Sequence, residues 1–184
     1  MIYYPIQQNY SSYQESKSLR SKMKVINATS TVVHETQKER GRTAGFLNGG
    51  LSIAKLQEQR ALTDKKREKL KEVLKSSAFE NSYKQKIRDE INRFTDLRQG
   101  VSAKDIPLNQ ALKRYTSLVA NLLSIEQKVA NETSIPEISI QLQSFRILES
   151  AKESGGKLRA NMTGVLAKDA PISIHATYHP TFDL

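Results

Sequence analysis

Two arginines stand where helices should bury apolar side chains. In VVHETQKERGRTAGFLNGG, residues 32–50, Arg40 falls on a stripe that advances by alternating steps of four and three: Leu19, Met23, Ile26, Ser30, Val33, Gln37, Arg40, Ala44, Leu47. That spacing is the seam of a helix packed in a bundle. Arg159 takes the equivalent place in KLRANMTGVL, residues 157–166. This segment aligns with KERGRTAGFL, residues 38–47, by pairing Lys38 with Lys157, Arg40 with Arg159, Gly45 with Gly164 and Leu47 with Leu166. Small residues flank both arginines: Gly41 and Ala44 beside the first, Gly155, Gly156 and Ala160 beside the second. Burying a guanidinium is unfavourable unless something negative and well hydrogen-bonded compensates it. The group is planar and donates two parallel bonds, so it suits a planar oxyanion better than an ammonium does. An arginine ringed by missing side chains therefore describes an anion pocket at a helix–helix contact. Two plainer accounts stay open. The side chain can snorkel to solvent over the core, or it can pair internally with Glu39, Glu149 or Glu153.

The elements that must position these arginines are helical. The first should end at NGG, where Gly49 or Gly50 can adopt the left-handed cap conformation. A second follows with Leu51, Leu56, Leu70 and Leu74 inside. A third carries Phe79, Tyr83, Ile87, Ile91 and Phe94 and stops near RQGVSAKDIP. A fourth uses Leu108, Leu112, Tyr115, Val119, Leu122 and Val129, and a fifth shows Ile138, Leu142, Phe145, Leu148, Arg159, Met162 and Leu166. The spacing predicts an all-α fold, an up-and-down antiparallel bundle of about five long helices with an irregular C-terminal tail. Residues 1–18 read as a lead-in, 19–168 as the helical domain and 169–184 as an extended or loose tail.

Composition narrows the function. The chain has 184 residues, a formal net charge of +10, no cysteine and no tryptophan. The basic excess favours anionic partners. The missing cysteine excludes disulfides and thiolate metal sites. No run of eighteen apolar residues could span a membrane, and MIYYPIQQ lacks the features of a signal peptide. A domain lying between two membrane helices would look the same. His175 and His179, four apart with Asp183 beyond, suggest a metal pair, but Pro180 argues against the helix such a pair needs, so no metal site is expected. DKKREKLKEVLK, residues 64–75, mixes both signs three and four apart, the pattern of a solvated helix face and not of a nucleic-acid surface. No nucleophile–base set, phosphate-cradling loop or carboxylate pair points to catalysis, and no cofactor is implied.

At the arginine motifs the chain resembles the nitrate- and nitrite-sensing family of bacterial chemoreceptors, sensor kinases and a transcription antiterminator. The likeness runs from VVHETQKERGRTAGFL through LQEQRALTD (56–64), LRQGV (97–101) and ALKRYTSLVANLL (111–123) to AKESGGKLRA (151–160), covering roughly residues 19–168. It implies an all-helical sensor that binds nitrate or nitrite between helices. By position, Arg40 in KERG and Arg159 in KLRA are the implied ligand contacts and Arg98 in LRQGV a third. Gly41, Ala44, Gly155 and Gly156 would shape the cavity. The sequence departs from the family where Leu158, and not a glutamate, precedes the second arginine. It also departs where the tail replaces a further amphipathic helix, so that a second bundle would be shortened or completed by another copy of the chain.

The reading that follows is a ligand-binding sensor domain of a bacterial receptor, most simply the periplasmic part of a chemoreceptor. It would act as a homodimer whose membrane helices and cytoplasmic signalling domain lie outside this sequence, with no nucleic acid as partner. The anion would neutralise Arg40 and Arg159 across a helix contact and so close the helices. The alternatives are a helical interaction or dimerisation module without a small ligand, or the sensory part of a cytoplasmic antiterminator.

Overall fold

The computed structural model describes residues 3–131 and 136–166, and every regular element within them is helical. In chain order these are α1 (Tyr3–Leu47), α2 (Ile53–Lys75), α3 (Asn81–Asn92), α4 (Phe94–Ala103), α5 (Leu108–Asn131) and α6 (Pro136–Leu166). The third expected helix is thus divided into α3 and α4. The division is slight, since Arg93 between them keeps helical angles of φ −61° and ψ −15°. Counted as one interrupted element, the pair restores the expected five. The tail, with His175, His179 and Asp183, lies outside the described residues, as do the side chains of Val129, Ile138, Leu142, Phe145 and Leu166.

The helix ends follow local chemistry. Gly49 takes φ +81°, and the turn closes through Gly50 N–H to Gly45 O at 2.9 Å. A side chain at such an angle is strained, so the glycine sets where α1 stops. Ser52 caps α2 by accepting from the amide of Lys55. Lys104 ends α4 in the left-handed region, at φ 58°.

Helix α1 is the spine, packing against α2, α5 and α6. It buries more than the expected seam. Beside Ile26, Val33, Arg40 and Ala44 runs a second buried row, one residue out of phase: Val25, Thr29, Val32, Thr36, Glu39, Thr43 and Phe46. Threonine makes this row hard to see as core. The hydroxyls of Thr29 and Thr36 donate back to Val25 O and Val32 O at 2.9 and 2.7 Å, so each buries like a valine with its polar atom satisfied.

Two apolar clusters lie at different levels of the spine, one at its middle and one at its C-terminal end. One joins Val25, Ile26, Val32 and Val33 to Leu70, Leu74, Ile87, Ile91, Val119 and Leu122. The other gathers Leu56, Phe94, Leu97, Val101, Ala111 and Leu118 around Phe46. Between the two, a buried polar layer contains Glu35, Thr36, Glu39, Arg40, Gln59 and Thr63.

Helix α6 departs from expectation in its second half. Leu148, Arg159 and Met162 are exposed, and among the described side chains of this helix the buried one is Glu153, at 7% exposure. Nine residues are two and a half helical turns, so Glu153 and Met162 occupy opposite faces. A buried arginine on α1 is compensated by a carboxylate opposite it, and around Glu153 that contact sets which side of α6 faces inward. Ile140, Ile147, Leu158 and Met162 are left exposed.

Two substitutions separate these kinds of burial. Leu70→Ala, in the dry core, should lower stability by about 2–5 kcal/mol. Thr36→Val should change it by no more than about 1 kcal/mol, because the lost bond is local and a methyl fills the space. Urea denaturation followed by circular dichroism measures both.

Candidate functional site

In the KERG motif Glu39 and Arg40, neighbours about 100° apart on a helix, face different partners. Glu39 is fully buried. Arg98 of α4 grips it with two parallel bonds, Nε–H to Oε1 and Nη2–H to Oε2, both 2.8 Å. Tyr115 of α5 donates its hydroxyl to Oε1 at 2.8 Å, and Thr43 in turn donates to the Tyr115 oxygen at 3.3 Å. Arg60 of α2 stands 3.9 Å from the same carboxylate. Arg98 continues to Asp64 at 2.7 Å, and Arg98 and Arg67 both lie over the Phe94 ring, 5.5 and 4.7 Å from its centre. This assembly ties α1 to α2, α4 and α5.

Electrostatics follow from the geometry. Burial pushes the Arg98 guanidinium down, but Glu39 and Asp64 outweigh that and hold it well above its ordinary range. Burial, and then the Glu39 charge, push the Tyr115 hydroxyl well above the usual phenol range. The carboxylate of Glu35 is raised by burial, yet hydrogen bonds from Lys38 and Gln59 prevail and leave it below its usual value.

Arg40 points elsewhere, into the contact of α1 with α5 and α6. Only 1% of it is exposed. Its Nη1 donates to Thr116 Oγ1 at 3.1 Å and to Glu153 Oε1 at 2.5 Å. The other Glu153 oxygen accepts from Gln37 Nε2 at 2.8 Å. Nε and Nη2 of Arg40 are buried with no hydrogen-bond partner. Together they form the side edge of the guanidinium, the same edge with which Arg98 holds Glu39. Among the described residues no other arginine has that whole edge both buried and unmet; Arg60 and Arg67 each leave Nε alone. Against this edge lies Gly156, where an added Cβ would come within 2.9 Å of Nη2. Any side chain at 156 would press on the guanidinium.

The structure therefore brings together Arg40, Gly156 and, one turn along α1, the buried Ala44. It commits Arg98 to Glu39. Gly41, Gly155 and Arg159 are exposed in the chain as it stands, and neither Gly41 nor Gly155 is crowded by a neighbour. Glu153 occupies the place foreseen for an internal partner of Arg40. Thr116 escapes sequence reasoning, because it sits one position off the apolar stripe of α5 and resembles any solvent-facing threonine. Tyr115 was legible as core but not as a donor to Glu39; its hydroxyl beside a stripe already holding one acid was the available signal.

The sequence profile of a family described as nitrate and nitrite sensing matches residues 31–178. The chain belongs to that family. As a nitrate- and nitrite-sensing (NIT) domain it is a signal-transduction sensor module of the kind associated with chemoreceptors, and not an enzyme. No curated protein and no solved structure matches it. In this NIT domain no helix of the described residues is long and apolar enough to cross a membrane, and no cluster of metal-ligating side chains occurs among them.

The Glu39 assembly carries a pH signature. An unfolded tyrosine ionises near pH ~10, whereas Tyr115 in the fold holds its proton to higher pH, so above that value the unfolded chain binds fewer protons and stability falls as pH rises. Tyr115→Phe should cost about 1.5–3 kcal/mol at neutral pH, the usual worth of a hydrogen bond to a charged group. It should also make the alkaline loss of stability shallower. Denaturation midpoints between neutral and strongly alkaline pH test both effects.

Proposed function

We propose that this NIT domain senses nitrate or nitrite by taking the anion on the Nε–Nη2 edge of Arg40, between α1 and α6. The observation that carries the reading is the contrast between two arginines. Arg98 has its side edge filled by a carboxylate, while the same edge of Arg40 is buried, unpartnered and faced by a glycine. A buried donor left unmet costs about 1–3 kcal/mol, and two on one group favour an acceptor with two coplanar oxygens. Nitrate and nitrite both have that shape. Backbone at Gly156 can approach such a ligand because no side chain intervenes.

The other arginines take different parts in this reading. Arg159, three residues beyond Gly156 on α6, is the side chain that would close over the bound anion. Arg98 keeps α1 in the rotation that aims Arg40. Gly41, Ala44 and Gly155 supply room rather than contacts. The domain would be the extracytoplasmic sensor of a receptor whose membrane helices and output domain lie beyond this sequence.

A specific observation also favours self-association. The exposed stripe of Ile140, Ile147, Leu158 and Met162 runs along one face of α6, and a second copy of the chain would cover it. Homodimer formation and anion sensing are compatible, since both involve α6.

Calorimetric titration with sodium nitrate and nitrite, against sodium chloride at matched ionic strength, tests the ligand. Arg40→Lys retains a cation for Glu153 but removes the planar fork, and should weaken nitrate binding at least tenfold while the helical signal persists. Equal heats for nitrate and chloride, or unchanged nitrate affinity in Arg40→Lys, would leave the interaction-module reading in the lead.

A further inference from the structure

Resting on that reading of Arg40, the structure assigns a regulatory role to Glu153: it is a built-in competing anion that nitrate must displace, and Lys157 is where it goes. Three observations converge on it. Glu153 is nearly buried and gives one oxygen to Arg40 Nη1 and the other to Gln37. In doing so it links α6 to α1 through the same guanidinium whose remaining edge is open. One turn further along α6, Lys157 Nζ lies 3.9 Å from Glu153 Oε1, with half of its side chain exposed.

The charge count then forces a choice. With no ligand, Arg40 and Glu153 neutralise each other inside the protein. Until Arg159 closes over it, a second anion on the Nε–Nη2 edge puts two negative charges on one buried cation, a few ångströms apart where solvent screening is weak. The arrangement is relieved when Glu153 lets go of Arg40 and turns to Lys157, a move within one helical turn and toward solvent. Gln37 then loses its acceptor as well, and the polar tie between α1 and α6 opens. Ligand binding and the breaking of the Glu153 tie are therefore one exchange of counter-ions. The affinity for nitrate is set by how firmly Glu153 holds Arg40.

The role makes opposite predictions for two neighbouring residues. Glu153→Gln keeps the size and removes the competing charge, so nitrate should bind about tenfold or more tightly. Lys157→Gln removes the landing place, so nitrate should bind several-fold more weakly. If Lys157 acts through Glu153, the double variant should bind like Glu153→Gln alone. Isothermal titration of the four proteins with sodium nitrate at constant ionic strength, each checked for helicity, decides among the outcomes. Tighter binding in Glu153→Gln with the Lys157 effect abolished in the double variant supports the exchange. Nitrate binding that appears only in Glu153→Gln supports it as well. Unchanged or weaker binding in Glu153→Gln, with wild type binding nitrate normally, overturns it while leaving the sensor reading intact. A Lys157→Gln loss that persists in the double variant overturns the hand-over to Lys157. Nitrate binding in neither wild type nor Glu153→Gln overturns the exchange and the sensor reading together. If Glu153→Gln loses helicity, Gln37→Ala takes its place, since it removes the second anchor of Glu153 and should tighten nitrate binding in the same direction.

Discussion

The fork of Arg98 on the buried carboxylate of Glu39 fixes everything around it. A helix with two buried rows can rotate about its axis by small amounts unless something directional pins it. Glu39 is held by two parallel bonds from α4 and one from α5, and those bonds have fixed directions where apolar contacts do not. Once that residue is pinned, the next one is pinned too. Arg40 is turned about 100° further round the helix, away from α4 and toward the α5–α6 contact. One motif thus divides its labour: the glutamate builds the frame and the arginine is presented by it.

The two apolar clusters explain why a polar layer of this size survives. Each charged group buried between them has to be compensated inside the fold, since burial of an unpaired charge costs more than most domains can spare. Around Glu39 both carboxylate oxygens are met, with guanidinium, phenol and a second acid engaged. Around Arg40 it stops half-way, with one terminal nitrogen satisfied and one edge bare. Proteins tend to keep incomplete polar sites where something binds. The layer is thus densely bonded on one side of α1 and partly unmet on the other, and the unmet side is the one that meets α6.

Much of the frame was legible in the residue pattern. The steps of four and three in α1, the glycine that ends it, the inner residues Tyr115, Val119 and Leu122 of α5 and the arginine placed on a buried stripe all reappear in the fold. What hid the second row of α1 was chemistry that looks polar and buries like valine: Thr29 and Thr36 satisfy their own hydroxyls on the helix. Gln59 and Thr63 likewise fill the gap between Leu56 and Leu70 in α2, where no apolar residue marks the seam. The second half of α6 differs for another reason. Leu148, Arg159 and Met162 follow the expected spacing yet face solvent, because there the helix turns the Glu153 carboxylate inward to the buried arginine. Pattern reading ranks faces by hydrophobicity and has no term for a charge waiting on a neighbouring helix. The fork on Glu39 was out of reach as well, since nothing in the spacing of LRQGV says which acid Arg98 meets.

The central claim is that the side edge of Arg40, and not Arg98 or a surface cation, receives the anion. Its most direct test is the NMR spectrum of arginine Nε–H groups in the uniformly nitrogen-15-labelled protein during titration with nitrate, with chloride as control. The account predicts that the Arg40 resonance, assigned by its absence in Arg40→Lys, shifts saturably with nitrate alone while the Arg98 resonance stays in place. A saturable shift at Arg98 with Arg40 unmoved, or nitrate binding that leaves both unmoved, would contradict it.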